Sequence, residues 1–254
     1  MSIIIKSPRE IALIREAGDI LRETLRVLKA HTRPGISTDE LSKLAGRYIR
    51  SRGAIPSCKG YGGFEGDICV SVNDVLVHGV PSKKVILKEG DIVSYDMLVT
   101  YKGYTADACR TYGVGNIAPN AQKLIDVTRE CFFEAVKLVK PGTHLGDIGE
   151  KIQSIAESHG YTVTEEFAGH GVGREVHEDP YVFNVGTKGT GAVLRKGMVI
   201  AIEPMVNEGK VELVTLDDGW TTKSKDGKLT CHYENTVAVT ESGYDILTLR
   251  EGDE

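Results

Sequence analysis

The order of apolar and polar positions along the chain predicts helices in pairs, each pair followed by a hairpin. Ser7-Pro8-Arg9-Glu10 has the form of a capping box with proline at the first helical position, and Ile14, Ala17, Leu21, Leu25 and Leu28 then keep a helical stripe. Pro34-Gly35 ends it. A second box, Ser37-Thr38-Asp39-Glu40, opens a helix with Leu41, Leu44, Tyr48 and Ile49 on one side, as far as Gly53. The period then changes: Ile92 to Thr100 is β-branched and apolar, Lys102-Gly103 is a turn signal, and Tyr104 to Cys109 reads as a returning strand. A second helix pair is predicted from about Pro119 to Val139 and from about Leu145 to His159. Helices with one apolar face each need a sheet to cover.

The second half copies the first. Leu87 to Asp96 aligns without a gap on Leu194 to Glu203, an offset of 107 residues that also carries Pro34-Gly35 onto Pro141-Gly142 and Gly53 onto Gly160. Such a repeat predicts one domain, 1–254, built of two half-lobes of about 7–112 and 115–250, with Asp96 and Glu203 equivalent about a pseudo-two-fold axis. Glu234 lies 31 residues beyond Glu203, whereas Asp107 lies 11 beyond Asp96, so the second hairpin is expected to be 20 residues longer. That addition holds the only tryptophan, Trp220. Cys58 to Cys69, with four glycines, reads as an irregular, closely packed loop, and Ala168 to Pro180 is the other glycine-dense segment.

Composition narrows the classes. A chain of 254 residues should bury roughly three quarters of its unfolded surface. The net charge of -5, with no long block of Lys or Arg, argues against a nucleic-acid partner. Ile3-Ile4-Ile5 is too short for a signal-peptide core and nothing approaches a membrane span, so a cytoplasmic protein is expected. The five cysteines lack CxxC spacing and suggest neither a disulfide framework nor a thiolate zinc site. The acidic end, Glu251 to Glu254, is expected to be disordered and solvated.

If Lys102-Gly103 is a two-residue loop, Asp96 falls opposite Cys109, and Asp96 and Asp107 share a face as diagonal neighbours about 7–8 Å apart. Two carboxylates so placed repel each other unless a cation lies between them. A lone aspartate in a strand is more often a solvated edge residue, and a lone histidine beside glycines a satisfied loop residue. The repeat changes that balance, because acidic residues stand inside two otherwise apolar strands with no Lys or Arg in the strand interiors. Asp96, Asp107, Glu203, Glu234 and His170, mostly hard oxygen donors, suit two divalent ions of the Mn, Fe, Co or Zn kind.

Asp96, Asp107, His170 in Gly-His-Gly-Val-Gly, Glu203 before Pro204-Met205, and Glu234-Asn235-Thr236 resemble the five-ligand signature of type I methionine aminopeptidases, over nearly the whole chain to about Val239. The resemblance implies an α+β pita-bread fold, a pseudo-two-fold central curved antiparallel sheet covered by two pairs of helices. It implies two divalent ions (Co, Mn, Fe, Zn or Ni), with Asp107, His170 and Glu203 on one, Asp96 on the other, and Asp107 and Glu234 bridging. A bridging water would attack the first peptide bond, with Glu203 as proton shuttle, His177 on the scissile carbonyl and His78 near the departing nitrogen. The methionine pocket would use Cys58, Tyr61, Phe64, Cys69 and Trp220. For the cysteines alone, simple core packing is the stronger alternative. Many bacterial members carry Phe where Val176 stands, which makes one wall smaller here. Asn73, Val75 and Thr230 match a sodium or potassium site of the family. Nascent polypeptide N-termini are the implied partners, with a transient ribosome contact also among the expectations, for a monomer bound to neither nucleic acid nor membrane. The competing readings are an Xaa-Pro aminopeptidase or prolidase, a creatinase-like amidinohydrolase, and a non-catalytic pita-bread protein that binds peptides.

Overall fold

The computed structural model describes residues 2–250 and 252. The expectation for the acidic end concerns Glu251, Asp253 and Glu254, which lie outside the described residues. Helices α1 (Pro8–His31) and α2 (Thr38–Ser51) come first, followed by short strands β1 (Ile55–Pro56), β2 (Cys69–Val72) and β3 (Val75–Val77). The hairpin of β4 (Ile92–Tyr101) and β5 (Tyr104–Gly113) leads to α3 (Pro119–Val136) and α4 (Leu145–Ser158). Strands β6 (Thr162–Val163), β7 (Ala168–Gly171), β8 (Glu178–Phe183), β9 (Val199–Ile202) and β10 (Met205–Asn207) come next. The chain closes with β11 (Leu213–Thr215), β12 (Thr222–Ser224), β13 (Thr230–His232), β14 (Asn235–Val239) and β15 (Tyr244–Ile246).

Both boxes form as the sequence predicts. Ser7 and Ser37 each accept the N–H of the glutamate three residues on, and Glu10 and Glu40 each accept the backbone N–H of the capping serine. In the first hairpin Tyr101 pairs with Tyr104 and Asp96 with Cys109, as the two-residue loop requires. Lys102 and Gly103 both take positive φ, 50° and 78°, the turn whose twist matches its strands.

The repeat is visible in backbone bonds as well as in elements. Both ends of α4 lie 107 residues after those of α2, and the isolated bridge Ser37↔Ile86 recurs as His144↔Val193. The Gly35 N–H donates to the Leu87 carbonyl at 2.8 Å, and the Gly142 N–H to that of Leu194 at 2.9 Å. Gly35 and Gly142 sit at φ 87° and 94°, where a side chain is strained, so each lobe needs glycine to turn between its helices.

The two hairpins differ as their lengths predict. In the second, Val199↔Ala238, Ile202↔Asn235, Met205↔His232, Leu213↔Ser224 and Thr215↔Thr222 keep one register, so the 20-residue addition prolongs both arms. Pro204 has no N–H to give the ladder, and it parts β9 from β10 while the arms stay in step. Glu203 therefore falls in register opposite Glu234.

The strand pairings are antiparallel, and the central sheet is parted into four- and five-stranded sheets, with two three-stranded ones beside them. Each lobe buries its own helix faces. Leu21, Leu25, Leu41 and Ile49 pack with Tyr95, Met97, Val99 and Ala106, and Leu124, Phe132, Ile148 and Ile152 pack with Ile200, Ile202, Val206 and Val237. The larger sheets meet where β5 lies along β14: the Glu234 N–H donates to the Cys109 carbonyl at 3.0 Å, and the Thr236 hydroxyl bonds the backbone of Asp107. Helices and antiparallel strands in this arrangement make an α+β fold. No helix of the described residues is long and apolar enough to cross a membrane.

Candidate functional site

Along the β5–β14 seam the acidic side chains turn inward. Asp96 from β4, Asp107 from β5, His170 from β7, Glu203 from the β9–β10 junction and Glu234 just before β14 line one cavity of about 440 Å³. Strand alternation places Asp107 on the cavity face of a buried strand, between Ala106 and Ala108. The seam carries Glu234 from the other lobe to meet it. Asp107, His170 and Glu234 each direct a donor atom into one group, and Glu203 and Glu234 direct theirs into a second, with all atoms of a group within 4.8 Å of one another. His170 Nε2 lies 3.4 Å from Asp107 Oδ2 and 3.8 Å from Glu203 Oε1. Asp96 borders the same cavity but belongs to neither group.

Burial makes this gathering costly without a cation. Asp107 is 4 % exposed and Glu234 1 %, and Asp107 Oδ1 and Glu234 Oε1 have no hydrogen-bond partner. The His170 and His232 imidazoles pair with Asp107, Glu203 and Glu234, and the nearby Arg110 guanidinium donates to the backbone of Cys109 and Glu234 and to the Asn235 side chain. Burial, then the charge of Asp107, pushes the Asp96 carboxyl up to about 7, and burial with Asp107 beside it drives Glu234 well above the usual carboxylate range. Burial alone would depress His170, but its bond with Asp107 and the Glu203 charge raise it to about 9. Orphaned buried carboxylate oxygens beside a ring nitrogen fit a divalent cation: such an ion supplies the missing positive charge and takes oxygen and imidazole donors together.

His78, His177 and the expected pocket residues Cys58, Tyr61, Phe64, Cys69 and Trp220 line the same cavity. His177 packs on His170 with ring centroids 4.1 Å apart, and its Nδ1 lies 2.9 Å from the Tyr61 hydroxyl. His78 lies edge-on to Phe167 and Trp220, at 5.4 and 5.9 Å. Burial brings both His78 and His177 down to about 4, so each is a neutral imidazole at neutral pH. Cys58, Phe64, Cys69 and Leu98 form a small apolar cluster with Trp220 and Val176 packed against it. The Phe64 and Trp220 rings meet edge to face at 5.4 Å. The bond to Cys58, with burial, raises the Cys69 thiol well above its ordinary value, so this wall is uncharged. Asn73 and Thr230 also meet: the Asn73 carbonyl accepts both the N–H and the hydroxyl of Thr230, at 2.9 and 3.1 Å, while Val75 pairs with Lys223 on β12.

Sequence reasoning missed His232, which stands in the second group with Glu203 and Glu234, and the cavity walls Phe167, Met205, Tyr181 and Phe183. A signal for His232 existed in its spacing, since residues two apart on one strand face the same way as His232 and Glu234 do. Phe167 and Met205 read as ordinary core and carried no such signal.

Fold and site together define a metallopeptidase. The chain matches metallopeptidase family M24 over residues 12–241 and belongs to that family. It is 51 % identical over 247 residues to the methionine aminopeptidase of Clostridium perfringens, covering 97 % of this chain and 99 % of that one. It is 49 % identical over 246 residues to methionine aminopeptidase 1 of Bacillus subtilis, again covering 97 % and 99 %. The crystal structure of methionine aminopeptidase from Rickettsia prowazekii superposes with a TM-score of 0.96 at 40 % identity, over 98 % of this chain and 100 % of that one. The pita-bread architecture expected from the five-residue signature is the one found.

Proposed function

We propose that the protein removes the N-terminal methionine from nascent proteins and peptides whose second residue is small. One observation carries the reading: buried carboxylates from both lobes converge with His170 at the floor of a cavity whose wall is apolar, aromatic and thiol-lined. Such a wall suits an unbranched thioether. The relatives named above, matched over nearly their full lengths, favour this activity over the prolidase-like and non-catalytic alternatives.

In this reading Asp107, His170 and Glu203 would hold one divalent ion and Asp96 the other, with Asp107 and Glu234 contributing to both. Bound there, the ions supply Lewis acidity and a water of lowered pKa. The protein's own groups do the rest. Glu203 has one oxygen toward His170 and the other toward His232, and it receives the proton of the attacking water and passes it to the leaving amine. His177, neutral and directed by the Tyr61 hydroxyl, donates to the scissile carbonyl oxygen as negative charge develops there. His78, beside Phe167 and Trp220, contacts the departing amide nitrogen. Cys58, Tyr61, Phe64, Cys69 and Trp220 hold the methionine side chain, and Val176 in place of an aromatic residue leaves that pocket roomier. Asn73, Val75 and Thr230 form a site for sodium or potassium, supported by the approach of the Thr230 hydroxyl to the Asn73 carbonyl. The native ions come from Co, Mn, Fe, Zn and Ni. The protein works as a cytoplasmic monomer that meets nascent chains, with a transient ribosome contact.

A panel of methionyl peptides differing in the second residue tests the reading. Peptides with Gly, Ala or Ser second are cleaved and those with Leu second are refused; equal turnover of Met-Gly and Met-Leu peptides, or cleavage confined to Xaa-Pro bonds, overturns it.

A further inference from the structure

His232 is buried to 1 % exposure among acidic side chains, and neither of its ring nitrogens has a hydrogen-bond partner. Its Nε2 lies 3.5 Å from Glu203 Oε2 and 3.9 Å from Glu234 Oε2. Donors held about 2.0–2.2 Å from one ion stand about 2.9–3.6 Å apart, so both distances from His232 Nε2 are within a few tenths of an ångström of those around a shared ion, and the three donor atoms lie within 4.8 Å of one another. The backbone fixes that aim. The Thr111 hydroxyl donates to the His232 carbonyl at 2.8 Å and accepts its N–H at 3.3 Å, while Met205 pairs with His232 across the hairpin. The ring is shielded from water, and its donor atom lies with that of Glu234, two residues on.

We propose that His232 is a sixth metal-coordinating side chain of this centre, its Nε2 joining Glu203 and Glu234 on one of the two divalent ions. The proposal rests on the dinuclear reading given above and adds to it. Glu203 then spans two imidazole-bearing positions, with Oε1 toward His170 and Oε2 toward His232. Each ion then has one nitrogen donor, with Glu203 serving both, where the five expected residues provide a single imidazole for the pair. Imidazole favours zinc, cobalt, nickel and iron over manganese and magnesium, so the second position is biased toward the nitrogen-loving ions.

Binding of Co(II), followed by calorimetry and by visible absorption, tests this without reference to turnover. The wild type takes up two ions. The His232→Gln variant binds the first as the wild type does and the second about 10-fold or more weakly, with an altered spectrum, and its loss for Mn(II) is smaller. Should that variant fold poorly, the wild-type protein labelled with ¹⁵N-histidine and loaded with Zn(II) gives a second reading: two ring Nε2 resonances, those of His170 and His232, take the shift of a coordinated nitrogen. A single such resonance, or unchanged second-ion affinity and spectrum in His232→Gln, overturns the proposal and leaves His232 as a buried neighbour of Glu203. Failure of the underlying reading looks different: the wild type itself then takes up no divalent ion, or Asp107→Asn binds Co(II) as the wild type does, and the proposal falls with it.

Discussion

Thr236 closes both backbone groups of Asp107: its hydroxyl accepts the Asp107 N–H at 2.9 Å and donates to the Asp107 carbonyl at 2.8 Å. One hydroxyl thus joins β5 of the first lobe to β14 of the second at a buried member of the acidic cluster. Replacement of Thr236 by valine keeps the volume and leaves both Asp107 groups buried without partners. The expected cost is about 1–3 kcal/mol, read as a lower midpoint in urea with an unchanged slope. Divalent-ion affinity should fall with it, because the strand that carries Asp107 loses its fixed approach to Glu234. An unchanged midpoint would place the seam's cohesion elsewhere.

Asp96 is the one expected ligand that borders the cavity outside both donor groups. Asp96→Asn keeps the shape and removes the charge. Peptidase activity should drop by about 100-fold or more, since loss even of an outer-sphere partner of a metal ligand costs about 10- to 100-fold. Rates retained by this variant would remove Asp96 from the metal centre.

Trp220 reaches the cavity from the turn between β11 and β12, in the stretch by which the second hairpin exceeds the first. Its ring meets Phe64 and His78 edge to face. Trp220→Ala removes one wall of the cavity, the one proposed to hold the methionine side chain. A rise of about 10-fold or more in KM for methionyl peptides is expected, with kcat changed less. Steady-state kinetics separate the two, and a loss confined to kcat would speak against a role in side-chain binding.

Glu10 ties the first helix to the hairpin as well as capping it. Its carboxylate accepts the Ser7 N–H and, at 2.8 Å, the Tyr104 hydroxyl. These bonds, the Ser7 N–H foremost and the Tyr104 hydroxyl next, hold its pKa down at about 2 against an ordinary 4.5. A depressed carboxylate stabilises the fold above its unfolded pKa and stops doing so as pH falls through its folded one. The difference in Tm between wild type and Glu10→Gln should therefore be full above about pH 5, shrink below about pH 4.5 and be nearly gone at about pH 2. A difference that does not vary with pH would assign the helix cap to Ser7 alone.

Much of this structure is legible in the sequence because the chain repeats itself. The 107-residue offset predicts α4 from α2, and Lys102-Gly103 sets the register that puts Asp96 opposite Cys109. Acidic residues set into two apolar strands, Asp96 and Glu203, then mark the site, since such positions are tolerated only around positive charge. The seam itself was hidden. Nothing local in Thr236 announces that it will bond Asp107, 129 residues away, because contacts between lobes depend on how two finished sheets meet. His232 was missed for a related reason. Cys231-His232-Tyr233 reads as a buried strand, and the chemistry of its middle residue emerges once Glu203 is brought to face it.

The central claim is that the acidic residues of the two lobes are gathered to hold divalent ions at the point where a peptide is cut. Its most direct test is the release of methionine from a Met-Gly peptide by chelated protein during stepwise return of Co(II), Mn(II), Fe(II), Zn(II) or Ni(II). The account predicts no turnover in chelator, and recovery that saturates as the ions fill the site. Turnover that persists undiminished in chelator, with the ions verifiably removed, would contradict it.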